Sequence, residues 1–301
     1  MDGILVVDKP SGWTSHDVVN KIRRFAGTRK VGHLGTLDPS ATGVLPLVIG
    51  RATRLAQFYA RNGKTYEGVI HFGYSTDSYD ADGEPTSPIL QVSLTPEEID
   101  AALAPSRGKF AQMPPAVSAK KIAGRPAYEL ARKNLPVELK AVEIEVFELA
   151  LLDIATVDGS TEARVRVACS AGTYLRSIAH DAGQRLGCGA HLKSLRRIVS
   201  GEFRIDQART MEQLAALSEA GTFHDAVIPA AQLLKHFPVE IVDDITVSQI
   251  RNGRDFRGSP FAAAAREDPE SRYVKAVDDK GELVAIGEAV MPNLYHPVLV
   301  L

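Results

Sequence analysis

The strongest constraint on the fold is a hydrophobic period that switches along the chain without settling into a strand–helix–strand rhythm. Val142, Ile144 and Val146 alternate with Glu143 and Glu145, and Val165, Val167 and Cys169 alternate with Arg164 and Arg166. A period of two puts one face of a strand in a core and the other in water. Directly afterwards Leu175, Ile178, Ala179, Ala182 and Leu186 share one helical face, and Gly187 closes that helix. Nearer the start, residues 4–7 read as a short strand running into the turn Asp8-Lys9-Pro10-Ser11-Gly12. Thr14, with Asp17 three residues on, then predicts a capped helix carrying Val18, Val19, Ile22 and Phe25 on one face and ending at Gly27. Residues 44–49 read as a buried strand, 52–59 as a short helix and 66–73 as an alternating strand. Thr95-Pro96-Glu97-Glu98 opens a further helix. Half-exposed strands mixed irregularly with helices predict an α+β fold, with a mixed, largely antiparallel sheet flanked by helices, and not a doubly wound one.

Beyond about residue 230 the texture changes. Short strand-like runs at 239–242, 273–277, 283–290 and 298–301 are punctuated by Gly253, Gly258, Gly281 and Gly287. The expected division is 1–230 for the main domain and 231–301 for a small, β-rich appended domain. Residues 262–271, polar and alanine-rich, are expected to form a surface loop.

The chain has 301 residues, 45% hydrophobic and 24% charged, enough to bury a core without covalent staples. Two cysteines with no Cys-x-x-Cys pair argue against a disulfide framework or a zinc site. No apolar run is long enough to cross a bilayer, and the first residues lack the basic region of a secretory signal. The expected setting is a reducing cytoplasm, with no metal and no membrane. A net charge of −2 conceals strong segregation. Residues 1–66 hold 10 Lys/Arg against 4 Asp/Glu, and 164–209 hold 9 against 3. The intervening 67–163 hold 8 against 16, and 210–301 hold 8 against 14. Two basic blocks on a near-neutral chain fit a one-sided phosphate footprint if the fold joins them, and two solvated faces if it does not.

The densest chemistry lies in Gly32-His33-Leu34-Gly35-Thr36-Leu37-Asp38-Pro39-Ser40-Ala41-Thr42-Gly43, read as a loop. Glycines allow positive φ and close approach to a ligand. Asp followed by Pro is also an ordinary turn opener, so pattern alone leaves Asp38 between a functional and a local structural role. The stretch lacks the Gly-Lys-Ser/Thr of a phosphate-binding loop, the Gly-x-Gly-x-x-Gly of a dinucleotide site and the Gly-x-Ser-x-Gly of a hydrolase elbow. A second candidate is Gly172-Thr173-Tyr174-Leu175-Arg176, a glycine turn leading into a helix. A cation in a first helical turn opposes the helix dipole, so Arg176 is either an inconsequential surface residue or the partner of a distant carboxylate such as Asp38. Tyr66 reads as core or as a stacking platform, and Leu195-Arg196-Arg197 as a surface stretch.

Taken together and in order, these segments resemble the TruB family of pseudouridine synthases. The match runs from Gly3-Ile4-Leu5-Val6-Val7-Asp8-Lys9-Pro10 through Gly32-His33-Leu34-Gly35-Thr36-Leu37-Asp38-Pro39, Lys64-Thr65-Tyr66 and Asp80-Ala81-Asp82-Gly83. It continues with Ser118-Ala119-Lys120, Gly124-Arg125, Gly172-Thr173-Tyr174-Leu175-Arg176 and Gly189-Ala190-His191-Leu192, and reaches about residue 210. Any one motif is weak, but six in sequence are specific. Arg54 departs from the lysine common in relatives, and Val247-Ser248-Gln249-Ile250-Arg251-Asn252-Gly253 only loosely resembles a PUA-type RNA-binding domain.

The resemblance implies isomerisation of uridine to pseudouridine at position 55 in the T loop of tRNA, by a monomer without a cofactor. By the same resemblance Asp38 is the catalytic aspartate, acting on the ribose C1′, the base or the C2′ proton. Tyr66 stacks on the target base, and Arg176 holds Asp38 ionised and oriented. His33 fills space left by the flipped nucleotide, and Tyr174 and Leu195 line the uracil pocket. Residues 113–134 resemble an RNA-clasping insertion, with Lys120, Lys121, Arg125 and Arg132 as phosphate contacts beside Lys9, Arg54 and Lys64. Two other readings stay open: a non-catalytic RNA-folding factor on the same scaffold, and a glycosidase or nucleosidase, which wants a second acid near the first.

Overall fold

The computed structural model describes residues 1–115, 121–122, 125–126, 140–258 and 272–301. Its elements in chain order begin with β1 (Gly3–Lys9), α1 (Ser15–Phe25), β2 (Val31–His33), β3 (Thr42–Ile49), α2 (Ala56–Tyr59), β4 (Lys64–Phe72), α3 (Pro96–Leu103) and β5 (Gly108–Gln112). The short pair β6 (Lys121–Ile122) and β7 (Arg125–Pro126) precedes β8 (Val142–Val157), β9 (Ser160–Cys169), α4 (Leu175–Leu186), β10 (Ala190–Ser200), β11 (Phe203–Arg204), α5 (Met211–Glu219) and β12 (Ile228–Pro229). The chain continues with β13 (Val239–Ile241), α6 (Asp244–Arg251), β14 (Phe256–Arg257), β15 (Tyr273–Val277), β16 (Leu283–Met291) and β17 (Leu294–Val300). Apart from its start and the β6–β7 pair, the expected 113–134 insertion lies outside the described residues, as does the whole of the expected 262–271 loop.

The ten-stranded main sheet runs β12-β1-β3-β10-β4-β9-β8-β5, with β2 beside β3 and β11 beside β10. Among these pairings only β3 with β10 is parallel, so the sheet is mixed and largely antiparallel, as the irregular element order predicts. Local chemistry explains the turns. Thr14 and Asp17 form a reciprocal cap: Asp17 N–H donates to Thr14 Oγ1 at 3.1 Å and Thr14 N–H to Asp17 Oδ2 at 2.9 Å. Asp158 and Gly159, at φ 51° and 80°, make the two-residue connection between β8 and β9, where an Asp-Gly pair suits the twist of a hairpin. Gly187 ends α4 in the left-handed region at φ 72°.

One face of the sheet carries the larger core. Val18, Val19 and Ile22 of α1, Ile99 and Leu103 of α3, and Ile178, Ala179 and Ala182 of α4 pack on Leu5, Leu45, Ile70, Phe72 and Val165. The other face of β1 and β3, through Ile4, Val6, Val44 and Val48, packs against Leu55 and Tyr59 and against Val277, Leu283, Ile286 and Leu299 of the second sheet. That sheet, β13-β15-β16-β17-β14, therefore docks on the back of the first through a shared apolar cluster. Phe58 is wedged there between Phe237 and Tyr273, with ring centroids 5.6 and 5.4 Å away.

Three local expectations change. Residues 31–33 pair with β3 and are not loop, because Val31, at 5% exposure, completes the core beside Ile49. Residues 244–251 form a helix capped by Asp243 where the strand pattern shows none. Arg197 is not surface but wholly buried, on the core side of β10 opposite Tyr66.

Gly43 is where the sheet meets the glycine-rich loop. Its φ is 99°, and a Cβ there would stand 2.2 Å from Arg197 O and 2.9 Å from Arg197 N. Replacing Gly43 by alanine is expected to lower stability by at least about 2 kcal/mol, since strained backbone and overlap with β10 act together; thermal unfolding measures it, and an unchanged Tm would show that β3 and β10 separate freely.

Candidate active site

The loop between β2 and β3 carries Asp38, and side chains from three distant elements hold its backbone. Lys9, at the end of β1, is 0% exposed, and its Nζ donates to the carbonyls of Pro10 at 2.9 Å, Trp13 at 2.5 Å and Pro39 at 3.0 Å. Arg197 of β10, equally buried, donates from Nε to Val44 O at 2.7 Å, from Nη1 to Thr36 O at 3.3 Å and from Nη2 to Gly35 O at 3.1 Å. Ser15, opening α1, donates to Leu37 O at 3.1 Å and accepts from Leu37 N–H at 2.9 Å. A loop whose carbonyls are claimed by buried cations cannot drift without stranding charge in the interior.

Asp38 faces Arg176 from the first turn of α4, with Arg176 Nη2 3.1 Å from Asp38 Oδ2. The arginine side chain is 6% exposed and that of Asp38 is 38% exposed, so the carboxylate opens to solvent on the side away from its partner. Arg176 Nη1 also reaches Asp80 Oδ2 at 3.2 Å and donates to Ser78 O at 3.2 Å. The other Asp80 oxygen accepts from Ser78 Oγ at 2.5 Å and from Asp82 N–H at 3.2 Å. The turn bearing these groups is tied to β10, with Ala81 N–H donating to Leu192 O at 3.1 Å and Leu192 N–H to Tyr79 O at 3.0 Å.

The arrangement tunes charge. Burial pushes the Asp38 pKa up, Arg176 pulls it back, Asp80 raises it again, and Lys9 lowers it. Burial pushes the Lys9 pKa down to about 8, with Asp38 opposing. Three carbonyls on one Nζ match the three donors of an ammonium, so Lys9 is charged at neutral pH. Burial likewise lowers the His33 pKa, with Arg197 adding to the effect, and leaves His33 neutral. His33 Nδ1 is buried without a hydrogen-bond partner among the described residues.

The structure thus brings Asp38 and Arg176 into contact across the fold. Tyr66 lies 7% exposed on β4 opposite Arg197, its hydroxyl kept neutral by burial, with Arg197 and Asp38 both within electrostatic reach. Leu195 shares the Tyr66 face of β10, in register with Gly68. Tyr174 caps α4 and is clamped through its backbone: Tyr174 N–H donates to Gln112 Oε1 at 2.8 Å, and Gln112 Nε2 to Tyr174 O at 2.9 Å. The expectation that Lys9 contacts phosphate is corrected, because its ammonium is sealed from solvent and its donors are all used on carbonyls. Lys64 is half-buried and donates to Asn62 O at 2.9 Å, whereas Arg54 is exposed and donates to Val300 O. The side chains of Lys120, Lys121, Arg125 and Arg132 lie outside the described residues. Sequence reading missed Asp80 and Arg197. The Asp80-Ala81-Asp82-Gly83 motif was visible, but an aspartate in an acidic turn looks solvated until Arg176 is seen against it. Among the described residues no cluster of His, Cys, Asp and Glu is placed to hold a metal ion, and no helix is long and apolar enough to cross a membrane.

Comparison with known proteins gives consistent matches. The profile of the TruB family pseudouridylate synthase N-terminal domain matches residues 23–175, and that of the tRNA pseudouridylate synthase B C-terminal domain matches 176–235. The chain is similar to the tRNA pseudouridine synthase B of Solibacter usitatus, 62% identical over 301 residues with all of both chains covered. It is 43% identical to the protein of that name from Mycobacteroides abscessus, with 93% of each chain covered. Among solved structures it resembles a chain of an H/ACA RNP bound to a substrate RNA containing 2′-deoxyuridine, at TM-score 0.69 and 26% identity, covering 99% of this chain and 84% of that one. A Cbf5-Nop10-Gar1 complex gives TM-score 0.69 at 28% identity, covering 97% and 79%.

Replacing Lys9 by methionine leaves three part-buried carbonyls without their donor, and is expected to cost about 1–3 kcal/mol and to slow turnover by loosening the Asp38 loop. Denaturant unfolding beside a turnover assay checks this, and wild-type values in both would remove Lys9 from the support of the loop.

Proposed function

Because the chain belongs to the TruB family of pseudouridylate synthases, we propose that it isomerises uridine to pseudouridine at position 55 in the T loop of tRNA, with Asp38 as its catalytic carboxylate. At the coarser level it is a tRNA pseudouridine synthase acting on uridine in tRNA, as its full-length relatives are named. The observation that carries the finer reading is the Asp38–Arg176 contact at 3.1 Å, made by residues 138 positions apart and open to solvent only on the carboxylate side.

The reaction breaks the N1–C1′ bond, turns the uracil and joins its C5 to C1′, with the C5 proton lost and a proton gained at N1. A stacked uridine offers neither C1′ nor C5 to a side chain, so the nucleotide must leave its stack, at a cost of a few kcal/mol. Tyr66 is suited to receive the extruded base on its ring, with Leu195 and Tyr174 closing the pocket. His33, neutral and at the mouth of the loop, fills the space the nucleotide vacates. Asp38 is useful only as a carboxylate, and Arg176 favours that form with a guanidinium that stays charged under any burial. Asp80 and Ser78 O occupy the other edge of the guanidinium, so its Nη2 edge is left facing Asp38. Both Asp80 oxygens are engaged, which argues against Asp80 as the second acid of a nucleosidase.

Substrate affinity is assigned to phosphate contacts from exposed Arg54 and half-buried Lys64, and, by the family resemblance, from Lys120, Lys121, Arg125 and Arg132 in the clasping insertion. Residues 1–230 form the catalytic domain in this reading, and 231–301 a PUA-like RNA-binding domain. The T stem-loop is the part of tRNA that is gripped.

Incubation with an unmodified tRNA transcript followed by carbodiimide mapping is expected to place one pseudouridine at position 55. Asp38→Asn should lower that signal at least about a thousandfold while tRNA binding persists. Undiminished turnover by this variant, or release of free uracil by the wild type, would sink the assignment.

The raised pKa of Asp38 makes two pH predictions. Activity should fall on acidification at a pH above the ordinary carboxylate value of 3.8, since the carboxylate is protonated earlier than usual. A raised pKa also means that the folded state binds this proton more tightly than the unfolded one. Stability from Asp38 is therefore present below the ordinary value and lost as pH rises through the raised one. Asp38→Asn should accordingly be no less stable than wild type at neutral pH, and a lower Tm there would show that Arg176 outweighs burial.

A further inference from the structure

Tyr79 stands between two acceptors that grip Arg176 Nη1. Ser78 O and Asp80 Oδ2 each lie 3.2 Å from Arg176 Nη1, and Tyr79 is the residue that joins them. Its backbone has φ 64°, in the left-handed region that a bulky aromatic residue avoids. Such a conformation persists only when the surroundings enforce it. Part of that enforcement is backbone pairing: Tyr79 N–H donates to Thr76 O at 3.3 Å, and Tyr79 O accepts from Leu192 N–H at 3.0 Å.

The remainder is a ring contact. Tyr79 lies flat on the imidazole of His180, with centroids 3.8 Å apart and planes 13° from parallel. His180 is on α4, four residues after Arg176, one turn along the same face of the helix. Its Nδ1 is buried and has no hydrogen-bond partner among the described residues, while its ring face is stacked on the tyrosine. A histidine placed for hydrogen bonding would not leave that nitrogen orphaned. The stack joins the Asp80 turn to the helix that presents Arg176, on the residue between the two acceptors of its Nη1.

We propose that Tyr79 and His180 are positioning residues for the isomerisation, their stack clamping the Ser78–Asp80 turn onto α4 so that Arg176 keeps the orientation from which it holds Asp38. This rests on the reading of Asp38 as the catalytic carboxylate. The rings touch one another, and their action on the uridine is through the arginine.

The test compares single-turnover rate and tRNA affinity in Tyr79→Gly, Tyr79→Phe, His180→Ala and His180→Phe, with Asp38→Asn alongside and Tm recorded for each. Glycine suits the left-handed backbone, so Tyr79→Gly removes the ring while keeping the fold. The expected result is a rate about ten- to a hundredfold lower in Tyr79→Gly and His180→Ala, with tRNA affinity within about twofold of wild type. Both phenylalanine variants keep a flat ring and should recover most of the rate. A wild-type rate in Tyr79→Gly beside an inactive Asp38→Asn overturns the clamp and leaves the catalytic reading standing. Phenylalanine variants as slow as the glycine and alanine ones also overturn it, because the hydroxyl or imidazole nitrogen would then be what matters. An active Asp38→Asn overturns both.

Discussion

Arg176 is a guanidinium withdrawn from water, and much of the site's construction follows from what that requires. A buried arginine must find acceptors for its fork of donors, and bare burial would cost far more than a single contact returns. Here two carboxylates and a carbonyl, from two different loops, converge on it. Each loop must therefore lie where α4 begins. The acidic turn is stitched to β10 through Leu192, and the Asp38 loop is held between β2 and β3. One ionic cluster sets the relative places of a helix, a turn and a loop that the sheet alone would leave loosely related.

Lys9 and Arg197 extend the same logic. Neither faces a carboxylate directly; both give their donors to main-chain carbonyls. They rigidify the Asp38 loop from beneath, and Lys9 adds positive potential at the carboxylate. The opposing influences on Asp38 are then legible: burial and Asp80 favour the proton, while Arg176 and Lys9 favour its loss. These opposed influences on a half-open carboxylate are the ground on which Asp38 is proposed as the reacting group.

The second sheet contributes differently. It shares apolar residues with the back of β1 and β3, the strands that flank the loop from which Asp38 projects. Packing on that face, including the wedge of Phe58 between Phe237 and Tyr273, stiffens the base of the site without entering it. The opposite face carries α1, α3 and α4 and the larger core.

Much was determined by the sequence alone. The period-two runs of β8 and β9, the Thr14 and Thr95 caps and the Gly187 stop are short-range features, decided within a turn or a few residues, and a mixed antiparallel architecture follows from their order. Asp38, Arg176 and Tyr66 could be singled out because their motifs occur in a family-like succession. Tertiary structure alone decided which charges are desolvated. Lys9, Arg197 and Asp80 look like ordinary surface residues in the chain, and nothing local distinguishes them from Arg196 or Asp82. Their burial depends on what covers them, from 30 residues away between Lys9 and Pro39 to 162 between Arg197 and Gly35. Periodicity reports which face of an element is apolar; it carries no information on which partner that face meets, and the energy of a buried charge resides in the partner.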